Sequence, residues 1–444
     1  MLLLQGNLPW ISFLLGIALR LALFSFPNAV EYLGDRLDFS TSLTRFSEIK
    51  NEIDWPTMEG AHRPPIIIQL VRAGLANSFF FILVDNLVAL VLFHSTRIHC
   101  ISQEVIQRNE NDILRQWNEL GRPRLDSEEQ QNETAVKDED FDWSATSMKS
   151  ELGNIKLEDL PSFISSLYML SPFTILTCGA RSFAPLTFLF VMAAVLFSQQ
   201  QMSIAAGFCL SWVVYLDGPS YLFILVVPVL MMQKGFYSKI LVLLSFVMSI
   251  VGLAFLSFKL NSSSWAFIQS SYLWVFSLPD SRPNIGLWWY LMTEVFSRYR
   301  PYFLLILHSF IYLCATPFAI YLYARPVLHV HFALAVLHTF QPYPEYFHFF
   351  TSLLLLFIHP QFLFVVPGLG ALLLIMSFSV VMQPVMLYTW LNLNAGNANY
   401  FYFQTLIANG TLCVILIQIY LAIVTRDAVL RRVNKFLESE KKKH

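Results

Sequence analysis

The feature that most limits what this chain can fold into is a succession of apolar runs separated by brief polar breaks. A helix needs about 20 apolar residues to cross a hydrocarbon core. Runs on that scale are Leu8–Phe26, Ile66–Phe93, Phe163–Cys178, Phe183–Phe197, Ile204–Tyr215, Tyr221–Met232, Ile240–Phe258, Phe303–Leu322, Val327–Phe340, Phe349–Ile358, Phe362–Trp390 and Phe401–Val424. Several are short or interrupted by proline. They predict an all-α polytopic membrane protein with about 10–12 transmembrane helices, forming one membrane domain over residues 1–444. With 56% hydrophobic and only 13% charged residues, the chain has too little polar surface for a soluble domain. The run Leu8–Phe26 lacks a basic leading segment and contains Arg20, so it is read as a first span and not as a cleaved signal.

Three tracts fall outside the spans: a mixed-charge loop over 28–65, an acidic insert over 95–158 whose middle is expected to be disordered, and an aromatic loop over 261–302. Lysine and arginine favour the cytosolic side. Arg426, Arg431, Arg432, Lys435 and Lys441 therefore place the basic tail, 425–444, in the cytosol, with the insert and the Lys234–Lys239 link on the same side. An even number of spans then puts the N-terminus in the cytosol as well. The 28–65 loop, the 261–302 loop and the gap at Asn394–Asn399 all fall on the opposite, luminal face.

That gap reads Leu391-Asn-Leu-Asn-Ala-Gly-Asn-Ala-Asn-Tyr-Phe-Tyr-Phe403. Asn397 and Asn399 are uncharged but carry full donor and acceptor capacity. Such a break is either a polar turn between spans or irregular backbone lining a protected cavity. A second polar-aromatic patch, Pro283-Asn284-Ile-Gly286-Leu-Trp288-Trp289-Tyr290, precedes Glu294. Its alternatives are an interfacial aromatic belt and a wall facing lipid headgroups. Arg20 inside the first span needs a buried partner, for which Asp85 and Asp217 are the candidates. His329 and His331 stand two apart and so do not share a helical face, which argues against a metal pair. The five cysteines are widely separated, with no metal or redox spacing. The net charge of −1 gives no electrostatic basis for binding nucleic acid. No cofactor is expected. The sequons are Asn132-Glu-Thr and Asn261-Ser-Ser, of which only Asn261 would be luminal, and Lys441 and Lys442 have the spacing of a dilysine retrieval signal for the endoplasmic reticulum.

The run Pro283–Tyr290 with Glu294 resembles the PIG-U family, the polytopic subunits of glycosylphosphatidylinositol (GPI) transamidase. So do Asn397, Asn399, Tyr400, Phe401 and Tyr402, the run Leu170–Cys178, His62–Ile66, and the opening Arg20, Glu31 and Arg36. One departure is Pro342-Tyr-Pro-Glu-Tyr346, where the family pattern reads Ser-Tyr-Pro and then Gly-Asp. The resemblance implies a fold like the GT-C mannosyltransferases without their chemistry, in the endoplasmic reticulum membrane. It also implies a complex with a caspase-like catalytic subunit, a metallopeptidase-like subunit and two further subunits with luminal domains. That complex replaces a C-terminal signal of a proprotein with the ethanolamine amine of a GPI lipid.

The expected role is therefore non-catalytic: to bind and present the GPI lipid, with Asn397, Asn399, Tyr400 and Tyr402 as the lipid contact. Asn284, Trp289 and Tyr290 would form a second wall. The alternative is a GT-C-type mannosyltransferase of GPI assembly, using an acid of the first loop such as Asp35 or Asp38 as base; neither belongs to an Asp-x-Asp pair.

Overall fold

The computed structural model describes residues 9–26, 63–120, 157–277 and 281–442. The loop acids Glu31, Asp35 and Asp38, the resemblance residues Arg36 and His62, the sequon at Asn132 and the centre of the acidic insert lie outside the described residues. In chain order the helices are α1 (Trp10–Phe24), α2 (Pro65–Arg72), α3 (Ser78–Glu119), α4 (Leu160–Leu170), α5 (Pro172–Gly179), α6 (Ala184–Gln199), α7 (Ser203–Asp217), α8 (Pro219–Met232) and α9 (Phe236–Leu260). After α9 come the short α10 (Ala266–Ile268), a π-turn (Gln269–Leu273) and α11 (Trp274–Ser277). The chain continues through α12 (Trp288–Glu294), α13 (Arg300–Tyr321), α14 (Pro326–Phe340), α15 (Tyr346–Phe357), α16 (Pro360–Leu363), α17 (Leu369–Leu391) and α18 (Ala398–Lys441). Among the described residues, helices α3, α9, α13, α17 and α18 are long and apolar enough to cross a membrane, and α4 with α5 make a sixth span if the bent pair counts as one.

Proline divides the apolar runs. It lacks an N–H and presets φ, so it suits the first turn of a helix and stops the one before. Pro65, Pro172, Pro219 and Pro326 each stand in a first turn. Three predicted spans are not single straight helices. Ile66–Phe93 is α2 and α3 around a break where Gly74 has φ +69°. Phe163–Cys178 is α4 and α5, bent by 45°. In Phe362–Trp390 the short α16 gives way to α17 at Gly368, with φ +65°. The polar tract that follows the second run is helical up to Glu119, because α3 simply continues through Ser95.

Buried charges decide how the helices meet. Arg20 and Asp85 are 0% and 1% exposed, and Arg20 Nε donates to Asp85 Oδ2 at 2.7 Å. The remaining donors of Arg20 reach Gly16 O (3.1 Å), Met169 O (2.8 Å) and Thr174 Oγ1 (3.1 Å). Tyr168 donates to the other Asp85 oxygen at 3.0 Å. Four helices, α1, α3, α4 and α5, thereby converge on one ion pair. Gly16 permits the close approach, since a Cβ there would lie 2.9 Å from Met169 O. Asp217, the other candidate partner, pairs instead with Arg63 at 2.8 Å.

A second charged cluster lies at the other end of the bundle. Glu110 accepts from Arg325 at 3.0 Å and from Arg426, and Arg325 also pairs with Asp427 at 2.8 Å. Beyond it, α3 and α18 run side by side in the same sense, with Ile113 and Trp117 packed on Val429, Val433 and Leu437. Lys441 and Lys442 are exposed at the tip of this two-helix stalk.

Replacing Arg20 with Met strands a buried carboxylate and should cost about 3–5 kcal/mol. We expect Arg20→Met to collapse the amount of folded protein extracted in mild detergent. Adding Asp85→Leu should restore much of it, whereas equal loss in the single and double variants would show that the pair is not what unites these helices.

Candidate functional site

At the end of the bundle opposite the stalk, the two polar-aromatic segments of the sequence are brought into direct contact. Asn397 is the N-cap of α18. Its extended backbone (φ −149°, ψ 172°) lets the side-chain oxygen accept from Asn399 N at 3.0 Å and Tyr400 N at 3.3 Å, satisfying donors that a helix leaves open at its start. The preceding turn is tight, with Asn394 at φ 50° and Gly396 at φ 122°.

Tyr290 of α12 donates its hydroxyl to Asn399 Oδ1. Its ring stacks on Tyr402, with centroids 4.4 Å apart and planes 22° apart. Trp289 fills the seam behind, lying against Phe401, edge-on to Tyr402 and stacked on Trp390. Trp289 is 2% exposed and Phe401 0%. Aromatic pairs of this kind add about 0.5–1.5 kcal/mol each beyond the area they bury.

The irregular segment before α12 is held through its backbone. Asn284 Oδ1 accepts from Gly286 N at 2.7 Å, and Asn284 is itself buried. Tyr402 donates to Leu287 O at 3.1 Å, and Asn409 donates to Ile285 O at 3.2 Å. Gly286 lies against Pro344, where an added Cβ would come within 2.7 Å of Pro344 Cδ and of Asn284 Oδ1. Pro344 belongs to the Pro342–Tyr346 break. Beside it Glu345 is fully buried, accepts from Ser182 at 2.7 Å and caps α15 together with His348.

Asn284 and Trp289 therefore sit inside the seam and join the two segments to each other. The outward-facing polar groups are those of Asn397, Asn399 and Tyr400, with the partly buried edge of Tyr290. The side-chain oxygens of Asn397 and Asn399 are engaged, while their amide N–H groups have no partner among the described residues. This edge can donate to phosphate or hydroxyl oxygens, and its rings can lie against acyl chains or sugar faces. Glu294 is the last residue of α12 and is exposed. Asn261 is buried in its own turn, donating to Ser264 O at 3.0 Å. His331 meets His359 at 2.8 Å, and no three His, Cys, Asp or Glu side chains gather as a metal set among the described residues.

Comparison with known proteins gives the context. The profile of the family described as "GPI transamidase subunit PIG-U" matches residues 14–408. The chain belongs to the PIG-U family. It is 27% identical over 430 residues, 91% of each chain, to the GPI transamidase component GAB1 of Saccharomyces cerevisiae. It is 27% identical over 293 residues, 62% of this chain and 66% of the other, to the human GPI-anchor transamidase component PIGU. It is 30% identical over 260 residues, 56% of this chain and 60% of the other, to the GAB1 homolog of Schizosaccharomyces pombe. The segments that carry the resemblance in the sequence, 283–290 and 397–402, are the two that the fold joins. Sequence reasoning missed Asn409, Trp390 and the Pro344 contact. Asn409 had a signal, an amide side chain in a predominantly apolar run, though Gln404 and Gln418 share it; the other two depend on tertiary packing.

Gly286→Ala should be felt locally, because the new methyl group meets a proline ring and a side chain already committed to a hydrogen bond. Overpacking of this kind costs about 1–3 kcal/mol. A fall in the melting temperature of the purified protein is the expected result, and an unchanged value would mean that the segment is free to move off α18.

Proposed function

We propose that this PIG-U family member is a non-catalytic subunit of GPI transamidase that holds the headgroup of the GPI lipid on the edge formed by Asn397, Asn399, Tyr400 and Tyr290, with the buried Tyr402 backing the ring of Tyr290. It would act in the endoplasmic reticulum membrane with both termini cytosolic. Its partners would be the caspase-like catalytic subunit, the metallopeptidase-like subunit and two subunits with luminal domains. Asn284 and Trp289 then support the edge from within. The observation that carries the reading is the pair of asparagines whose acceptors are satisfied by the protein and whose donors are not.

The chemistry suits the ligand. A GPI headgroup presents phosphate and hydroxyl oxygens next to acyl chains. Neutral amides can donate to these at a membrane boundary with a smaller desolvation penalty than charged groups. The shared exit of α3 and α18 at the stalk end, away from Asn397, supports an arrangement with the basic tail and the lipid edge on opposite sides.

The test is made in cells lacking the protein. Asn397→Ala/Asn399→Ala should reduce surface GPI-anchored protein severely, while complete GPI and uncleaved proprotein accumulate. Loss of the cap alone costs about 1 kcal/mol of helix stability, so Asn397→Asp serves as the control that keeps the cap acceptor and removes the amide donors. It should fail like the alanine variant. Full activity of Asn397→Asp would reduce the residue to a cap. Accumulation of GPI lacking a mannose, worst in Asp35→Ala/Asp38→Ala, would instead mark a mannosyltransferase.

A further inference from the structure

Asn409 is 6% exposed and lies on α18, 12 residues beyond its N-cap Asn397. At about 1.5 Å per residue that is roughly 18 Å along the helix. A polar side chain buried at such a place in a span is costly unless it is hydrogen-bonded. One N–H of its amide donates to Thr405 O at 3.0 Å, within its own helix, and the other crosses to Ile285 O at 3.2 Å. The back-bond orients the amide, and the cross-bond fixes the carbonyl of a segment that has no regular hydrogen-bonding partner of its own. Non-helical backbone within a membrane protein must be satisfied from its surroundings or line a cavity. Here the surroundings are two side chains of α18, Asn409 on Ile285 O and Tyr402 on Leu287 O.

We propose that Asn409 is a positioning residue for the lipid edge: it seats the 284–287 segment on α18 so that Tyr290, at the start of α12, reaches Asn399. The inference rests on the lipid-holding reading above. The link is geometric. Ile285 and Leu287 lead directly into Trp288–Tyr290, and Tyr290 supplies both the hydroxyl bonded to Asn399 and the ring stacked on Tyr402. Releasing Ile285 frees the segment to slide along α18. The oxygen of Asn399 then loses its donor, and the amide that faces the ligand is no longer held in one orientation.

The experiment uses the intact purified complex and compares two acceptors for the proprotein's carbonyl, GPI lipid and a small amine, hydrazine, that needs no lipid edge. Asn409→Leu keeps the volume close and removes the donor. We expect about a tenfold rise in the GPI concentration needed for half-maximal transfer, with hydrazine-supported cleavage and subunit composition unchanged. Asn409→Gln, which retains a donor, should lie nearer the natural protein. An equal fall with both acceptors would make Asn409 merely structural, and no change with either would overturn the proposal. Asn397→Ala/Asn399→Ala in the same assay separates the two readings. If it shifts the GPI requirement and Asn409→Leu does not, only the positioning role fails; if it leaves the requirement unchanged, the lipid edge itself fails.

Discussion

Everything in this bundle is arranged around the impossibility of leaving a charge unpartnered in an apolar interior. Arg20 and Asp85 are both essentially inaccessible, and beyond the bond of Arg20 to its own helix their remaining hydrogen bonds reach two further helices, α4 and α5. A lone buried ion would carry a penalty of several kcal/mol. The helices that supply its partners are therefore constrained in depth and rotation together. Arg63 with Asp217, and Glu110 with Arg325 and Arg426, repeat the principle at the two ends of the molecule. Apolar packing fills the space between, but it is less directional and would tolerate sliding that the ion pairs do not.

Within that frame the candidate site is a seam between neighbours far apart in sequence. The 283–290 and 397–402 segments touch through stacked rings and are fastened through main-chain carbonyls. Burying Trp289 and Phe401 positions the rings; the asparagines at the rim are then left to face outward. The two segments on which the family resemblance was read fall on both sides of the seam, so two unrelated-looking patches mark one place.

The all-helical, many-span character was legible because apolar composition and run length follow directly from the solvent a membrane provides. That the two patches belong together at one end of the bundle was legible too, since both interrupt apolar runs with the same mixture of amide and aromatic groups. The partner of Arg20 was narrowed to Asp85 or Asp217, and only packing could choose between them. Residue roles were less visible. Asn397 reads as a polar side chain, yet its oxygen is committed to capping a helix, and Trp289 reads as a belt residue but is enclosed. Run lengths also overstated continuity at α2–α3 and α16–α17, where backbone at positive φ breaks what composition joins. The Pro342–Tyr346 departure gave no sign that Pro344 would lie against Gly286, since that contact joins positions remote in sequence.

Helix α18 is a single hydrogen-bonded element of 44 residues from the asparagine cap to the stalk tip. At 1.5 Å per residue it is a rod of about 66 Å. A rod pivoted near its middle converts angle into displacement, so a tilt of about 5° moves its ends by roughly 3 Å each in opposite directions. Glu110 and Trp117 of α3 grip one arm of that lever, and Leu412, Ile415 and Ile419 bury its middle in the core, so a tilt of the stalk reaches the far cap only by repacking the bundle between them.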